Sequence, residues 1–186
     1  LKLIRAGRMT PRMLRRFEHE SEVLGRLQHP GIAQVYDAGT AETPFGPQPY
    51  FAMEYVRGTP LTVFASRHKL TMRQRLAMFV KICEAVHHAH QKGVVHRDLK
   101  PGNILVQSAD GLDGDRVAES AQPKILDFGI GCLLSETEGE SLVDTMSTAN
   151  SVNSGLDCAS PESIMDPTNL NAIGDQYSLG CVMYYC

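Results

Sequence analysis

The chain has 186 residues, of which 42% are hydrophobic and 21% are charged, and its formal net charge is −3. This composition is typical of a globular protein rather than a disordered one, and the negative charge argues against a general nucleic-acid binder. The five cysteines form no C-x-x-C pair and are odd in number, which favours a reducing, cytoplasmic environment over a disulfide framework. No apolar stretch is long enough to cross a bilayer, so we expect no membrane segment within this chain.

The beginning of the chain predicts a strand followed by a helix. Leu1 to Arg5 has the pattern of the end of a strand, and Thr10 and Pro11 supply an N-cap and a proline for the first helical turn. Glu20 interrupts the apolar stripe of this helix, so it either reaches water at the edge of the stripe or pairs with Lys2. The chain has no initiator methionine and stops inside an apolar run, so we expect a fragment of a larger domain.

The next segment predicts a hairpin and a linker. Strands are expected from Ile32 to Tyr36 and from Tyr50 to Tyr55, with a Gly- and Pro-rich loop between them. Val56 to Pro60 is typical of a linker between two lobes. We therefore predict a first lobe over residues 1–55 and a second over residues 56–186.

The second lobe is predicted to be mainly helical. A short helix is expected near Leu61 to Arg67, and Thr71 and Gln74 form a capping box that starts a longer helix, which Gly93 ends. The predicted inner face of that longer helix consists of Leu76, Phe79, Cys83, Val86 and His90. A last helix, from Asp175 to Cys186, is apolar on nearly all sides and is therefore expected to be buried.

Three histidines near the end of the longer helix raise the question of a metal site. The spacing of His87, His88 and His90 does not put all three on one helix face. Surface and packing roles are therefore favoured over metal binding.

The region between the long helix and the last one combines short strands with polar segments. Strands are expected from Ile104 to Gln107 and from Lys124 to Leu126, separated by a polar insert from Ser108 to Gln122. Residues 130–159 are rich in Ser, Thr, Glu and Gly and show little periodicity. A loop of that length inside a compact domain is usually functional or mobile.

Two short polar motifs carry the chemistry. They are His96-Arg97-Asp98-Leu99-Lys100-Pro101-Gly102-Asn103 and Asp127-Phe128-Gly129. Asp98 can accept a proton from a hydroxyl, Lys100 can neutralise charge on a transferred group, and the oxygens of Asn103 and Asp127 suit a hard cation such as Mg²⁺. This inventory matches phosphoryl transfer, in which catalysis is mostly positioning and charge neutralisation. The alternative, a polar turn held by its own hydrogen bonds, explains each residue singly but not their occurrence together.

The first motif resembles the catalytic loop of eukaryotic-type (Hanks-type) serine/threonine protein kinases, which also occur in bacteria, and the second resembles their metal-binding turn. The resemblance covers almost the whole chain. It implies an α+β, bilobal protein-kinase fold that is truncated, with a partial N-lobe sheet and helix, a hinge, and an incomplete, mainly helical C-lobe. It also implies ATP and Mg²⁺ as cofactors, Asp98 as the base, Lys100 as a γ-phosphate contact, and Asn103 and Asp127 as metal ligands.

The resemblance extends to residues outside the two motifs. The start of the chain is similar to the end of the V-A-I-K strand of the family, so Lys2 would hold the α- and β-phosphates and would pair with Glu20. Ser160-Pro161-Glu162 resembles the A-P-E element. The residues that the resemblance places around the adenine, in the gatekeeper, the hinge and the cleft, are Met53, Glu54, Val56 and Leu105.

The resemblance also bears on substrate and control. Lys100 implies protein Ser/Thr rather than Tyr hydroxyls as substrates. Arg97, directly before Asp98, implies that a phosphate on the loop 130–159, added by self-phosphorylation or by another kinase, orders that loop. The candidate phosphorylation sites are Thr145, Ser147, Thr148 and Ser151.

Several departures from the family leave alternatives open. The Gly-rich phosphate loop is absent, and Ser154-Gly155-Leu156-Asp157-Cys158 stands where the family usually has Gly-Thr-x-x-Tyr. A pseudokinase that acts as a nucleotide-binding or scaffold module is therefore the alternative to an active kinase, and a small-molecule kinase of related fold ranks last. We expect the isolated 186 residues to transfer little or no phosphate.

Overall fold

In a computed structural model of the chain, the described residues are 1–3, 17–18, 21–44, 46–108, 115–128, 158–166 and 171–186. They contain two three-stranded antiparallel sheets and several helices, which confirms the predicted α+β class. All strands of the first sheet precede residue 54, and all strands of the second follow residue 58. The sheets therefore lie on either side of the predicted linker, and the lobe boundary itself stays a prediction. Among the described helices, none is long and apolar enough to span a membrane.

The first sheet has the order β1-β3-β2. Its strands are β1 (Lys2–Leu3), β2 (Val35–Thr43) and β3 (Gly46–Met53). The two hairpin strands are longer than predicted, because the Gly- and Pro-containing residues between them continue the antiparallel ladder as far as Thr43 opposite Gly46. Lys2 is paired with Phe51 across the β1–β3 ladder. The strand order places β1, and with it Lys2, at one side of the sheet that the described strands form.

A helix covers this sheet. Residues 17–18 and 21–25 are helical, whereas the predicted helix start at Thr10 lies outside the described residues. The ring of Phe17 lies 5.0 Å from that of Phe51, and both side chains are fully buried. The edge-to-face contact fixes the helix against β3.

The second sheet has the order β4-β5-β6. Its strands are β4 (Thr59–Pro60), β5 (Ile104–Gln107) and β6 (Gln122–Ile125). The bounds of β5 and of the short helix α1 (Leu61–Arg67) confirm the prediction. The linker runs close to this sheet, since a Cβ at Gly58 would lie 2.9 Å from the carbonyl oxygen of Val106.

The long helix α2 (Met72–Gln91) begins at the predicted capping box, in which Thr71 and Gln74 exchange side-chain and backbone hydrogen bonds. Gly93, at a φ of 75°, follows its end as predicted. The predicted inner face is only partly right: Val86 is buried and Phe79 packs against the core, but Leu76 is exposed. The buried residues are Met78, Ile82, Ala85, Val86 and Ala89. The loop at Gly31 lies so close to α2 that a Cβ added to Gly31 would be 2.9 Å from the Cβ of Ala85. The helix therefore has a small residue at this position.

The histidines of α2 have packing roles, as predicted. The ring of His88 lies 5.1 Å from that of His29, and His90 contacts Asp175. Asp175, the acidic partner of His90, lies in a distant part of the sequence. The spacing of the histidines therefore did not indicate this contact. Within the described ranges, no group of His, Cys, Asp and Glu could hold a metal ion.

The predicted polar insert contains a helix that the sequence did not indicate, α3 (Asp115–Ser120). Val117 and Ala121 are each only 1% exposed, and Lys81 of α2 donates a hydrogen bond of 2.7 Å to the carbonyl oxygen of Ala121. A six-residue helix is too short to show an apolar period, and its stability comes from docking on α2. β6 consequently begins at Gln122, two residues before the predicted start at Lys124.

Two helices follow, α4 (Pro161–Met165) and α5 (Ala172–Tyr185). Asn171 is the N-cap of α5 and accepts a hydrogen bond of 2.9 Å from the backbone N–H of Ile173. The expectation of a buried helix is wrong for the described part of the chain, because only one side of α5 packs against it. The buried residues of α5 are Asp175, Ser178 and Val182, while Tyr184 is 86% exposed.

Four of the five cysteines lie among the described residues. Among the described residues, Cys83, Cys181 and Cys186 are free thiols. None of them takes part in a disulfide within the described ranges.

Candidate active site

Two hydrogen bonds to Leu126 bring the two polar motifs together. The backbone N–H of Leu126 donates to the carbonyl oxygen of Asn103 at 2.8 Å. The carbonyl oxygen of Leu126 accepts a hydrogen bond of 2.9 Å from Nε2 of His96. The first motif therefore binds both backbone polar groups of Leu126. The next residue, Asp127, consequently lies beside that motif.

Asp98 is the centre of the first motif. Nζ of Lys100 lies 2.9 Å from Oδ2 of Asp98, and Nδ2 of Asn103 donates to the same oxygen at 3.1 Å and to the carbonyl oxygen of Asp98 at 2.7 Å. The Asp98 side chain remains 40% exposed, so a hydroxyl from solvent or from a substrate can reach it. Because the nitrogen of the Asn103 amide is used in these bonds, its oxygen stays available as an acceptor or a cation ligand.

A buried carboxylate holds the backbone of this motif. Asp175, only 1% exposed, accepts hydrogen bonds from the backbone N–H of His96 at 2.8 Å and of Arg97 at 2.9 Å. Nε2 of His90 lies 2.8 Å from the same carboxylate. Arg97 has a φ of 73°, a left-handed conformation that costs a non-glycine residue on the order of 1 kcal/mol and persists only where its surroundings impose it. Asp175 supplies that constraint.

His96 is a fully buried, neutral imidazole. Its Nε2 donates to Leu126, and its Nδ1 accepts a hydrogen bond of 3.3 Å from the backbone N–H of Asp98, so both ring nitrogens are satisfied without a charge. Burial lowers the pKa of His96, although the nearby carboxylate of Asp175 and the carbonyl of Leu126 act in the opposite direction. Its ring packs 4.7 Å from that of Phe128, which anchors the second motif.

Lys2 reaches the second motif from the edge of the first sheet. Its Nζ forms an ion pair of 2.7 Å with Oδ2 of Asp127, and the two side chains are 38% and 31% exposed. Asp127 has a φ of 60°, which is again the left-handed region. The expected partner of Lys2, Glu20, lies outside the described residues, so that pairing stays a prediction. The described contact joins β1 of the first sheet to the segment that follows β6.

The residues expected around the adenine come from the end of the first sheet, the linker and the second sheet. Met53 ends β3, Val56 is 7% exposed, and Leu105 is half-buried on β5. The side chain of Glu54 forms an ion pair of 2.7 Å with Lys124 of β6. Any adenine contact of Glu54 would therefore involve its backbone.

Two residues with structural roles at the site, Asp175 and Lys124, were missed by the sequence reasoning. Asp175 could have been noticed, since it is the acidic residue in the first turn of an otherwise apolar helix. Lys124 could also have been noticed, because it is a charged residue directly before the apolar run that leads to Asp127.

The site contains the carboxylate of Asp98 with Lys100 and Asn103 beside it. The ion pair of Lys2 and Asp127 lies near this group. Such an arrangement of charges and amide groups is suited to binding phosphoryl groups. The protein kinase domain family matches residues 1–186, and the chain belongs to that family. This membership confirms the kinase fold that the motifs implied.

Particular relatives agree with this assignment. The chain is 35% identical to the serine/threonine-protein kinase PknB of Mycolicibacterium smegmatis over 186 residues, or 99% of this chain, and 33% identical to PknB of Mycobacterium tuberculosis over the same length. Among solved structures it is similar to Rad53 1-466 in complex with AMP-PNP, with 27% identity and a TM-score of 0.58, covering 90% of this chain and 36% of that one. The chain spans about a quarter (27%) of the length of the PknB relatives.

Proposed function

We propose that this chain is part of a serine/threonine protein kinase that transfers the γ-phosphate of ATP to Ser or Thr hydroxyls of protein substrates. The observation that carries the proposal is the pair of hydrogen bonds at Leu126, which sets the Asp98 cluster beside the Lys2–Asp127 ion pair. The names of the PknB relatives support the substrate class, and the AMP-PNP in the Rad53 structure supports ATP.

The residues have distinct roles in this reaction. Asp98 accepts the proton of the substrate hydroxyl, and Lys100, already beside it, faces the transferred phosphoryl group. Lys2 binds the α- and β-phosphates, and Glu20 orients Lys2. The adenine is held by the backbone of the hinge, from Glu54 to Val56, beside Met53 and Leu105.

The donors in the cleft fit Mg²⁺, which prefers a few protein oxygens beside phosphate and water. Asn103 and Asp127 would hold it, since the Asn103 amide nitrogen is bound to Asp98 and leaves the oxygen free to coordinate. When bound, the ion supplies positive charge to the phosphates. The hydrogen bond from the backbone N–H of Leu126 to the carbonyl oxygen of Asn103 keeps Asp127 close to Asn103, and this bond does not involve the ion.

Further parts of the proposal concern the surroundings of the site. The loop 130–159, with its candidate phosphorylation sites, lies outside the described residues, so control through Arg97 stays a prediction. Full activity after phosphatase treatment would contradict it. We place the catalytic region in the cytoplasm on the strength of its odd cysteine count.

The decisive experiment uses the full-length protein with labelled ATP, Mg²⁺ and a generic protein substrate. We expect Asp98→Asn to lower kcat by about 10² to 10⁴ with nucleotide binding retained, because the variant lacks the base. Asp37→Asn is the matched control, since Asp37 is on β2 and contacts Tyr50. Nucleotide binding without transfer by the unaltered protein would establish the pseudokinase alternative. Robust transfer by the isolated 186 residues would contradict the expectation that they are weakly active.

A further inference from the structure

The ion pair between Glu54 and Lys124 lies at a junction of three chain segments. Oε2 of Glu54 is 2.7 Å from Nζ of Lys124 and accepts a hydrogen bond of 3.2 Å from the backbone N–H of Gln34. The backbone N–H of Glu54 donates to the carbonyl oxygen of Gln34 at 2.8 Å. Glu54 thus binds both backbone polar groups of Gln34, one through its side chain and one through its main chain.

The same segments are joined by a second set of hydrogen bonds. Ala33 N–H donates to the carbonyl oxygen of Ile125 at 2.9 Å, and Ile125 N–H donates to that of Gly31 at 2.9 Å. Residues 31–34, Glu54 and residues 124–125 therefore form a closed hydrogen-bonded ring that connects the first sheet to β6. We call this ring the lobe junction.

The lobe junction is connected directly to the phosphate side of the cleft. Lys124 precedes Asp127 by three residues, across the end of β6, so the two residues are separated by at most about 10 Å at 3.3 Å per residue. Leu126 lies between these residues, and both its backbone N–H and its carbonyl oxygen are hydrogen-bonded to the first motif. Strand β6 and Leu126 therefore hold Lys124 and Asp127 at a fixed spacing.

The charges of this pair are sheltered from water. The side chains of Lys124 and Glu54 are 15% and 21% exposed, whereas the Lys2 and Asp127 side chains are 38% and 31% exposed. Electrostatic attraction is stronger at sites that water reaches poorly, and removal of one partner leaves the other charge without compensation. The pair therefore constrains its two segments more than an ordinary surface ion pair would.

We infer that Lys124 is a positioning residue for the nucleotide, and this inference rests on the proposed kinase function. Its ion pair with Glu54 fixes the segment that follows β3 against β6. The spacing between the adenine-binding backbone at Glu54 and the phosphate-side carboxylate Asp127 is thereby set before ATP arrives. Lys124 itself touches no reacting atom in this assignment.

The test measures nucleotide affinity and turnover separately in the full-length protein. We expect Lys124→Met to raise the KM for ATP and the Kd for a non-hydrolysable ATP analogue about tenfold, or about 1.4 kcal/mol. We expect kcat at saturating ATP to stay within about threefold, since the chemical groups at Asp98 are untouched. Lys124→Arg, which keeps the cation, should restore affinity, and Glu54→Gln should reproduce the rise.

A double variant and a control complete the design. Lys124→Met combined with Glu54→Gln should bind ATP no more weakly than either single variant, because both changes remove one interaction. Lys92→Met removes an exposed lysine just after α2 and should leave KM, Kd and kcat unchanged. If Lys124→Met does not fold, Glu54→Gln and the double variant supply the same comparison.

The contrary outcomes are distinct. An unaltered protein that neither binds nor transfers phosphate from ATP would overturn the proposed function and the inference together. An active protein whose Lys124→Met and Glu54→Gln variants have normal KM and Kd would overturn the inference alone. A variant with lower thermal stability, lower kcat and unchanged KM would show that the pair has only a structural role.

Discussion

The substitution Asp175→Asn tests how the catalytic motif is held. The carboxylate of Asp175 accepts backbone hydrogen bonds from His96 and Arg97 and contacts Nε2 of His90, all within 2.9 Å. Asparagine has the same shape, but one of its two terminal atoms is an N–H₂ donor. Whichever way the amide is turned, that donor faces at least one N–H group, and a buried donor is left without an acceptor.

The magnitude follows from these contacts. A hydrogen bond to a charged group contributes about 1.5–3 kcal/mol, and a buried unsatisfied donor costs about 1–3 kcal/mol. The lost negative charge in the first turn of α5 adds on the order of 0.5 kcal/mol. Since these terms overlap, we expect Asp175→Asn to lower the free energy of unfolding by about 3 kcal/mol.

Urea unfolding of the full-length protein, followed by a signal from the kinase domain, measures this difference. Gln176→Ala is the matched control, because Gln176 is the next residue on α5 and is exposed, and it should change the free energy by no more than about 0.5 kcal/mol. Equal stability of the Asp175→Asn and Gln176→Ala variants would refute the assignment of Asp175 as the anchor of the motif.

Three further predictions concern other parts of the chain. Burial lowers the pKa of His96 from its ordinary value of 6.5. Below that pH the unfolded chain binds a proton that the folded chain does not, so the stability of the protein falls as the pH drops. The NMR shifts of the imidazole nitrogens should show His96 as a neutral Nε2–H ring below pH 6.5, and a ring that titrates normally would contradict this. Gly58→Ala should destabilise the protein by about 1–3 kcal/mol in thermal unfolding, because its Cβ would meet the backbone of Val106. Gly180→Ala on α5, where no described atom lies within 4 Å of an added Cβ, should stabilise it by up to about 1 kcal/mol. Thr71→Ala should cost about 1 kcal/mol through the lost cap of α2, and an unchanged melting temperature would contradict the observed capping box.

Local signals predicted several elements well. The capping box at Thr71, the end of α2 at Gly93, the short helix α1 and the strand β5 were all visible in the sequence. Each depends on a few neighbouring residues that satisfy their own backbone groups or break the helix. Such features require no information about distant parts of the chain.

Other elements depended on partners far away in the sequence. β2 and β3 extend through glycine and proline because each strand supplies the ladder of the other, and α3 exists because Val117 and Ala121 are buried against α2. The exposed position of Leu76 on α2 was mispredicted for the same reason. Helix periodicity shows that a face is apolar, but the neighbour that approaches it, here the loop at Gly31, selects which face is covered.

The sequence by itself determined the family and the composition of the site. The spacing of Asp98, Lys100 and Asn103 is set by a short, proline-containing turn, so these residues stay together in any fold that keeps that turn. Only the tertiary structure decided that Leu126 joins this turn to Asp127 and that Asp175 holds its backbone. Hydrogen bonds between segments 20 to 80 residues apart depend on where packing places each segment, and no local pattern encodes that placement.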